Sequence, residues 1–151
     1  MTLRQHPFFD WPGTHAFAHR GGASDAPENT LSAFQRAVDI GYTYMETDVH
    51  ATSDGVLLAF HDDDLQRTCG IAGRISQMTH AEVSRARVDG REPIPTFDEL
   101  VNTWPNLRWN IDCKSDEALP HLVAALRKHR ILDRVCLGAF SDRRLRTLRS
   151  A

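Results

Sequence analysis

The chain lacks any apolar run approaching the roughly 20 residues that span a bilayer, so no transmembrane segment is predicted. No apolar stretch follows the arginine of Met1-Thr2-Leu3-Arg4-Gln5-His6-Pro7, and no signal peptide is expected. Cysteine is scarce. Cys69, Cys113 and Cys136 are odd in number and lack CxxC or zinc-type spacing, which argues against a disulfide scaffold or a metal–thiolate centre. Reduced thiols in a cytoplasm are the plain reading. An excess of one charge is missing too: 18 Lys and Arg face 20 Asp and Glu, a net of −2, so nothing pulls the chain globally toward nucleic acid or anionic membrane. No repeat, low-complexity tract or Gly/Ser/Pro-rich linker divides the sequence. What remains is globular composition, 41% hydrophobic and 25% charged, read as a single domain over residues 1–151.

Residues 1–13 read as a lead-in loop closed by Trp11-Pro12-Gly13. Five apolar segments read as strands: 15–19, 44–49, 56–60, 107–113 and 134–140. Between them, Leu31, Phe34, Ala37 and Val38 recur at helical spacing behind an N-cap at Asn29 or Thr30. Thr96 and Glu99 form a capping box for a helix over 97–103, and residues 117–129 and 142–150 supply two more. Residues 65–95 read as irregular, with a short helix around 81–86. Strands alternating with helices predict an α/β fold with a parallel sheet. Thr52-Ser53-Asp54-Gly55 is a turn that either makes a hairpin, with Asp48 opposite His61, or returns the chain in parallel.

Titratable residues gather where the apolar strands stop: His19-Arg20, Glu46 with Asp48, His61-Asp62, and Asp112 with Lys114. In α/β folds the C-terminal strand ends form one rim, where ligands bind. Glu46 and Asp48, two apart in a strand, face the same way and repel unless protonated or neutralised by a cation. With Asp112 they offer oxygen-only ligands suited to Mg²⁺ or Ca²⁺; two unrelated acids on a solvated edge is the plainer alternative. His19 and His61 could exchange protons near neutral pH as general base and general acid, against the plainer role of hydrogen-bonded structural histidines. The six other histidines lack such a setting. Arg20 and Lys114 could hold phosphoryl oxygens or merely balance nearby acids, and Asp62 could orient His61. The Arg143-Arg144-x-Arg146-x-x-Arg149 run reads as the solvated face of the last helix, not a nucleic-acid patch.

The ordered motifs His19-Arg20-Gly21, Pro27-Glu28-Asn29-Thr30, Glu46-x-Asp48-Val49, Asp54-Gly55, His61-Asp62, Leu65-x-Arg67-Thr68, Pro95-Thr96-Phe97-x-Glu99-Leu100 and Asn110-Ile111-Asp112-Cys113-Lys114 resemble the glycerophosphodiester phosphodiesterase family, over residues 15 to about 140. The resemblance implies a TIM-type (β/α) barrel and metal-dependent hydrolysis of small glycerophosphodiesters to glycerol 3-phosphate and an alcohol. It implies His19 and His61 as the acid/base pair, Glu46, Asp48 and Asp112 as ligands of a divalent cation (Mg²⁺ or Ca²⁺), and Arg20 and Lys114 as phosphate contacts.

Two departures stand out. Asp112 falls where the family pattern usually has Glu, so it would reach a metal through water or draw its strand inward. A full barrel has eight strands and about 250 residues, whereas this chain ends after the fifth predicted strand, as an N-terminal part of a longer enzyme would. Alternatives are lysophospholipase D-type action on lysophospholipids, or an inactive truncated interaction module that self-associates through exposed barrel edges.

Overall fold

The computed structural model describes residues 6–22 and 26–150, so residues 1–5 of the expected lead-in lie outside the described residues. Its sheet has five strands: β1 (Phe17–Ala18), β2 (Tyr44–Ala51), β3 (Leu57–Ala59), β4 (Arg108–Cys113) and β5 (Val135–Gly138). Four are parallel in the order β1-β2-β4-β5, and β3 folds back antiparallel onto β2. Helices α1 (Leu31–Asp39), α4 (Phe97–Thr103), α5 (Ala118–His129) and α6 (Asp142–Ser150) follow the predicted positions, with α2 (Gln66–Cys69) and α3 (His80–Val83) between β3 and α4. This is the α/β architecture of a partial (β/α) barrel. Among the described residues no helix is long and apolar enough to cross a membrane.

Strand periodicity sorts the side chains. Met45 and Val49 of β2 and Trp109, Ile111 and Cys113 of β4 are fully buried, in one core with Phe34, Phe97, Leu100 and Leu122 from the helices. The intervening Glu46, Asp48, Asn110 and Asp112 turn the other way and line a cleft. Register places Glu46 beside Asn110 and Asp48 beside Asp112. A slip of one residue would bury the acids and expose the apolar set, so the core itself sets the position of the carboxylates.

Local signals set the helix starts. Thr30, the second of the two N-cap candidates, accepts from the Ala33 amide at 3.3 Å, and Thr96 and Glu99 form the predicted capping box. Residues 65–95 are more ordered than the sequence suggests. They close over a second apolar cluster of Leu58, Phe60, Leu65, Ile75, Val83, Ala86, Val88 and Ile94, and α3 carries its own capping box from Thr79 and Glu82. These apolar residues are spread too thinly along the chain to show a helical or strand period.

Thr52-Ser53-Asp54-Gly55 makes the hairpin. The Phe60 amide donates to the Asp48 carbonyl at 3.0 Å, so Phe60, not His61, stands opposite Asp48. Gly55 has φ +84°, and a Cβ there would come within 2.6 Å of the His121 ring. At the opposite end of the sheet, residues 7–9 form a 3-10 turn within the stretch expected to be a loop. Its Phe8 is 1% exposed, and its carbonyl accepts from the Tyr44 hydroxyl at 2.5 Å.

Candidate active site

The chain after β1 must turn sharply to present two side chains at the rim. Arg20, Gly21 and Gly22 are successively left-handed, with φ of 51°, 82° and 74°. For arginine this conformation is disfavoured by about 1 kcal/mol. It is held by the Arg20 amide donating to Glu46 Oε2 at 2.9 Å and the Arg20 carbonyl accepting from the Asn29 amide at 3.0 Å. Gly21 is required: a Cβ would lie 2.8 Å from that of Ala33 at the start of α1.

His19, Arg20, Glu46, Asp48, His61, Asp112 and Lys114, all seven residues singled out from the sequence, line one cleft of about 510 Å³, joined by Asn110 and residues 138–140. His19 Nε2 lies 3.9 Å from Glu46 Oε2, and its side chain is 72% exposed. Burial, then the neighbouring Asp48 charge, pushes the Glu46 carboxyl up to about 7 against the opposing pull of Arg20 and Lys114. Asp48 is buried and held from three sides: by Lys114 Nζ at 3.0 Å, Asn29 Nδ2 at 3.0 Å and Arg20 Nε at 3.3 Å. The Arg20 contact is an ion pair without hydrogen-bond alignment, and among the described residues Nε has no other partner. Lys114 also donates to Asp112 Oδ2 at 2.7 Å. Burial works against the Lys114 charge, but the bonds to Asp112 and Asp48 prevail and hold its pKa above the ordinary lysine value.

His61 follows β3. Its Nδ1 is 2.5 Å from Asp62 Oδ1, the orienting contact anticipated from the sequence. Its carbonyl bonds to His50 Nε2 at 3.1 Å, and burial lowers the His50 pKa, so that ring is a neutral anchor. The Arg67 bond holds the Asp62 carboxyl down to about 2, against burial and with help from His61.

Four contributors were not assigned a place in the site from the sequence. Asn29, at φ 55° and 1% exposed, bridges Asp48 and the Thr47 hydroxyl, which donates to Asn29 Oδ1 at 2.8 Å. Its place beside the N-cap disguised it as a capping residue. Glu28 and Arg67, both within motifs that carry the resemblance but given no role there, pair with each other across the rim. Phe140 is 92% exposed at the lip of the cleft, its ring centroid 5.4 Å from Lys114 Nζ. Away from the cleft, Arg143 and Arg144 pair with Asp116.

The donors suit a hard divalent cation in kind, being carboxylates without sulfur. Among the described residues Asp112 Oδ1 is buried with no hydrogen-bond partner, and the Glu46 carboxyl is raised by its surroundings; a bound cation would relieve both. Among the described residues, however, no three His, Cys, Asp or Glu side chains are gathered closely enough to hold an ion. The Lys114 ammonium bridges Asp48 and Asp112 instead.

Residues 19–150 match the model of the glycerophosphoryl diester phosphodiesterase family. A probable glycerophosphodiester phosphodiesterase of Mycobacterium tuberculosis is 38% identical over 135 residues, covering 89% of this chain and 51% of that protein. A glycerophosphodiester phosphodiesterase structure from Agrobacterium tumefaciens superposes with TM-score 0.85 at 27% identity, over 91% of this chain and 63% of that one. An Oleispira antarctica phosphodiesterase in complex with the product sn-glycerol-3-phosphate gives TM-score 0.83 at 28% identity, over 91% of this chain and 62% of the other. The chain therefore spans less than two thirds of each of these proteins.

Proposed function

Because the chain belongs to the glycerophosphoryl diester phosphodiesterase family, we propose that it hydrolyses glycerophosphodiesters to glycerol 3-phosphate and an alcohol. One observation carries this reading: two imidazoles, three carboxylates and two cations, from residues 19 to 114, face a single cleft. One imidazole of the His19/His61 pair takes the proton of the attacking hydroxyl, from the substrate's own glycerol or from water. That oxygen bonds to phosphorus as the bond to the departing alcohol breaks, and the second imidazole protonates the leaving oxygen. Attack by water gives glycerol 3-phosphate at once, whereas attack by the glycerol hydroxyl gives a cyclic phosphodiester that water then opens with the two imidazoles in exchanged roles. Arg20 grips phosphoryl oxygens with its fork and Lys114 as a point charge. Glu46, Asp48 and Asp112 would hold a divalent cation once the Lys114 ammonium withdraws from between Asp48 and Asp112, and the bound ion would supply positive charge where negative charge builds on the phosphoryl group. A reducing compartment such as the cytoplasm suits the three unpaired thiols.

The test is release of glycerol 3-phosphate from glycerophosphocholine with and without Mg²⁺ or Ca²⁺. Turnover that needs the ion and falls by about 100-fold or more in His19→Ala and in His61→Ala supports the reading. Turnover indifferent to chelation, or either variant at full activity, overturns it. The exposed Phe140 ring at the lip favours a second substrate class, lysophospholipids, whose acyl chain it would contact. Lysophosphatidylcholine cleaved faster than glycerophosphocholine, with Phe140→Ala erasing the difference, would select that class. Among the described residues β1 and β5 each pair on one side only, so self-association through them is a further proposal; sedimentation as a monomer would reject it.

A further inference from the structure

A continuous chain of alternating charge crosses the rim of the cleft. His61 Nδ1 meets Asp62 Oδ1 at 2.5 Å. Arg67 grips Asp62 with Nε at 2.6 Å on Oδ2 and Nη2 at 3.0 Å on Oδ1. The same guanidinium reaches Glu28 with Nη1 at 3.0 Å and Nη2 at 2.6 Å. Glu28 Oε1 then accepts from Arg20 Nη1 at 3.0 Å. Five side chains thus tie the loop that carries His61 to the loop that carries His19, through one arginine held bidentately on both sides.

Stability does not account for this arrangement. Ion pairs this close to solvent contribute only about 0–1 kcal/mol each, and ordering a long arginine costs entropy. The geometry does have a chemical consequence for His61. Which imidazole nitrogen keeps its proton is decided by the partner of the other. Asp62 is acceptor-only and sits on Nδ1, whereas among the described residues Nε2 has no partner. A carboxylate free to swing, one torsion from solvent, would leave that choice open. Arg67 removes the freedom by holding both carboxylate oxygens, and Glu28 in turn holds Arg67.

We propose that Arg67 is a positioning residue that clamps Asp62 onto Nδ1 of His61, so that the neutral ring carries its proton on Nδ1 and offers the Nε2 lone pair to the cleft. A group oriented in this way is fit to take a proton at Nε2, and the assignment makes His61 the base of the pair. That last step rests on the hydrolase reading; the tautomer does not.

The ring can be observed directly by long-range ¹H–¹⁵N correlation spectroscopy of the 151-residue chain, with the His61 signals identified by their loss in His61→Gln. The expected result is a His61 ring with Nδ1 of the N–H type, and a mixture of both tautomers in Arg67→Gln. The Arg67 side chain is 49% exposed, so this variant keeps its fold, and its backbone amide spectrum verifies that. Arg67→Lys, which retains one charged donor to Asp62, recovers part of the Nδ1–H population. A wild-type ring protonated on Nε2, or an Nδ1–H population unchanged in Arg67→Gln, overturns the proposal. With glycerophosphocholine, Arg67→Gln is expected to lower kcat about 10-fold or more with KM within about twofold, and Arg67→Lys to lie between. A clamped tautomer in a chain without turnover would reject the hydrolase reading and leave the clamp standing.

Discussion

The floor and the rim of the cleft treat charge in opposite ways. On the floor, Glu46, Asp48 and Asp112 come from the middle and end of two central strands; Asp48 is held by Lys114, Asn29 and Arg20, but burial leaves Glu46 and Asp112 short of partners. Glu46 is driven toward its neutral form, and Asp112 keeps an oxygen with no hydrogen bond among the described residues. On the rim, Glu28 and Asp62 sit in loops near water, and arginines satisfy both. Their carboxyls are held below the ordinary range, by Arg67 first in each case. A buried acid cluster short of positive charge is built to receive some, from a cation or from the basic side chains above it. A self-neutralised network is built to stay where it is.

Removing an acid from the floor should have the largest effect. Asp48→Ala leaves Lys114, Arg20 and Asn29 facing an empty buried position and is expected to cost about 3–5 kcal/mol in urea unfolding. An effect below about 1 kcal/mol would mean that the floor is already solvated.

Proton linkage should differ in sign between the two regions. Glu46, raised from 4.5 to about 7 in the folded chain, contributes stability at low pH that is lost as pH rises from about 4.5 through about 7, with a ceiling of about 3 kcal/mol. Glu46→Gln should flatten that fall, and so should added Mg²⁺. Asp62, lowered from 3.8 to about 2, contributes stability above pH 3.8 that is lost as pH falls toward 2. Thermal unfolding across pH in the wild type, Glu46→Gln and Asp62→Asn checks both limbs.

The turn that joins the two regions comes next. Gly21→Ala adds a Cβ at φ +82° and 2.8 Å from Ala33, and about 2 kcal/mol is expected to be lost. Arg67→Ala should move stability least, by less than about 1 kcal/mol, while still altering His61.

The same contrast explains what could be read in advance. His19, Arg20, His61, Asp112 and Lys114 lie at or just beyond strand ends, while β2 runs two residues past its expected end at 49 and leaves Glu46 and Asp48 in its middle, where the β-period still turns them to the same cleft. The shorter Asp112 remains opposite Asp48 by register, and Lys114 fills the space between them. The rim clamp was not legible. Glu28 and Arg67 are 39 residues apart on irregular segments, and no periodicity relates them. The second apolar cluster under residues 60–95 escaped for the same reason, since it is assembled from single residues of many short turns. The hairpin register, off by one at His61, depended on a four-residue turn that sequence alone leaves ambiguous.

Phe8 and its 3-10 turn seal the mouth of the sheet opposite the chemistry, beneath Tyr44, the first residue of β2. A group attached at His6, the first described residue, would therefore be tethered beneath this stopper, at the end of the sheet away from the cleft, and would leave diffusion into the cleft open.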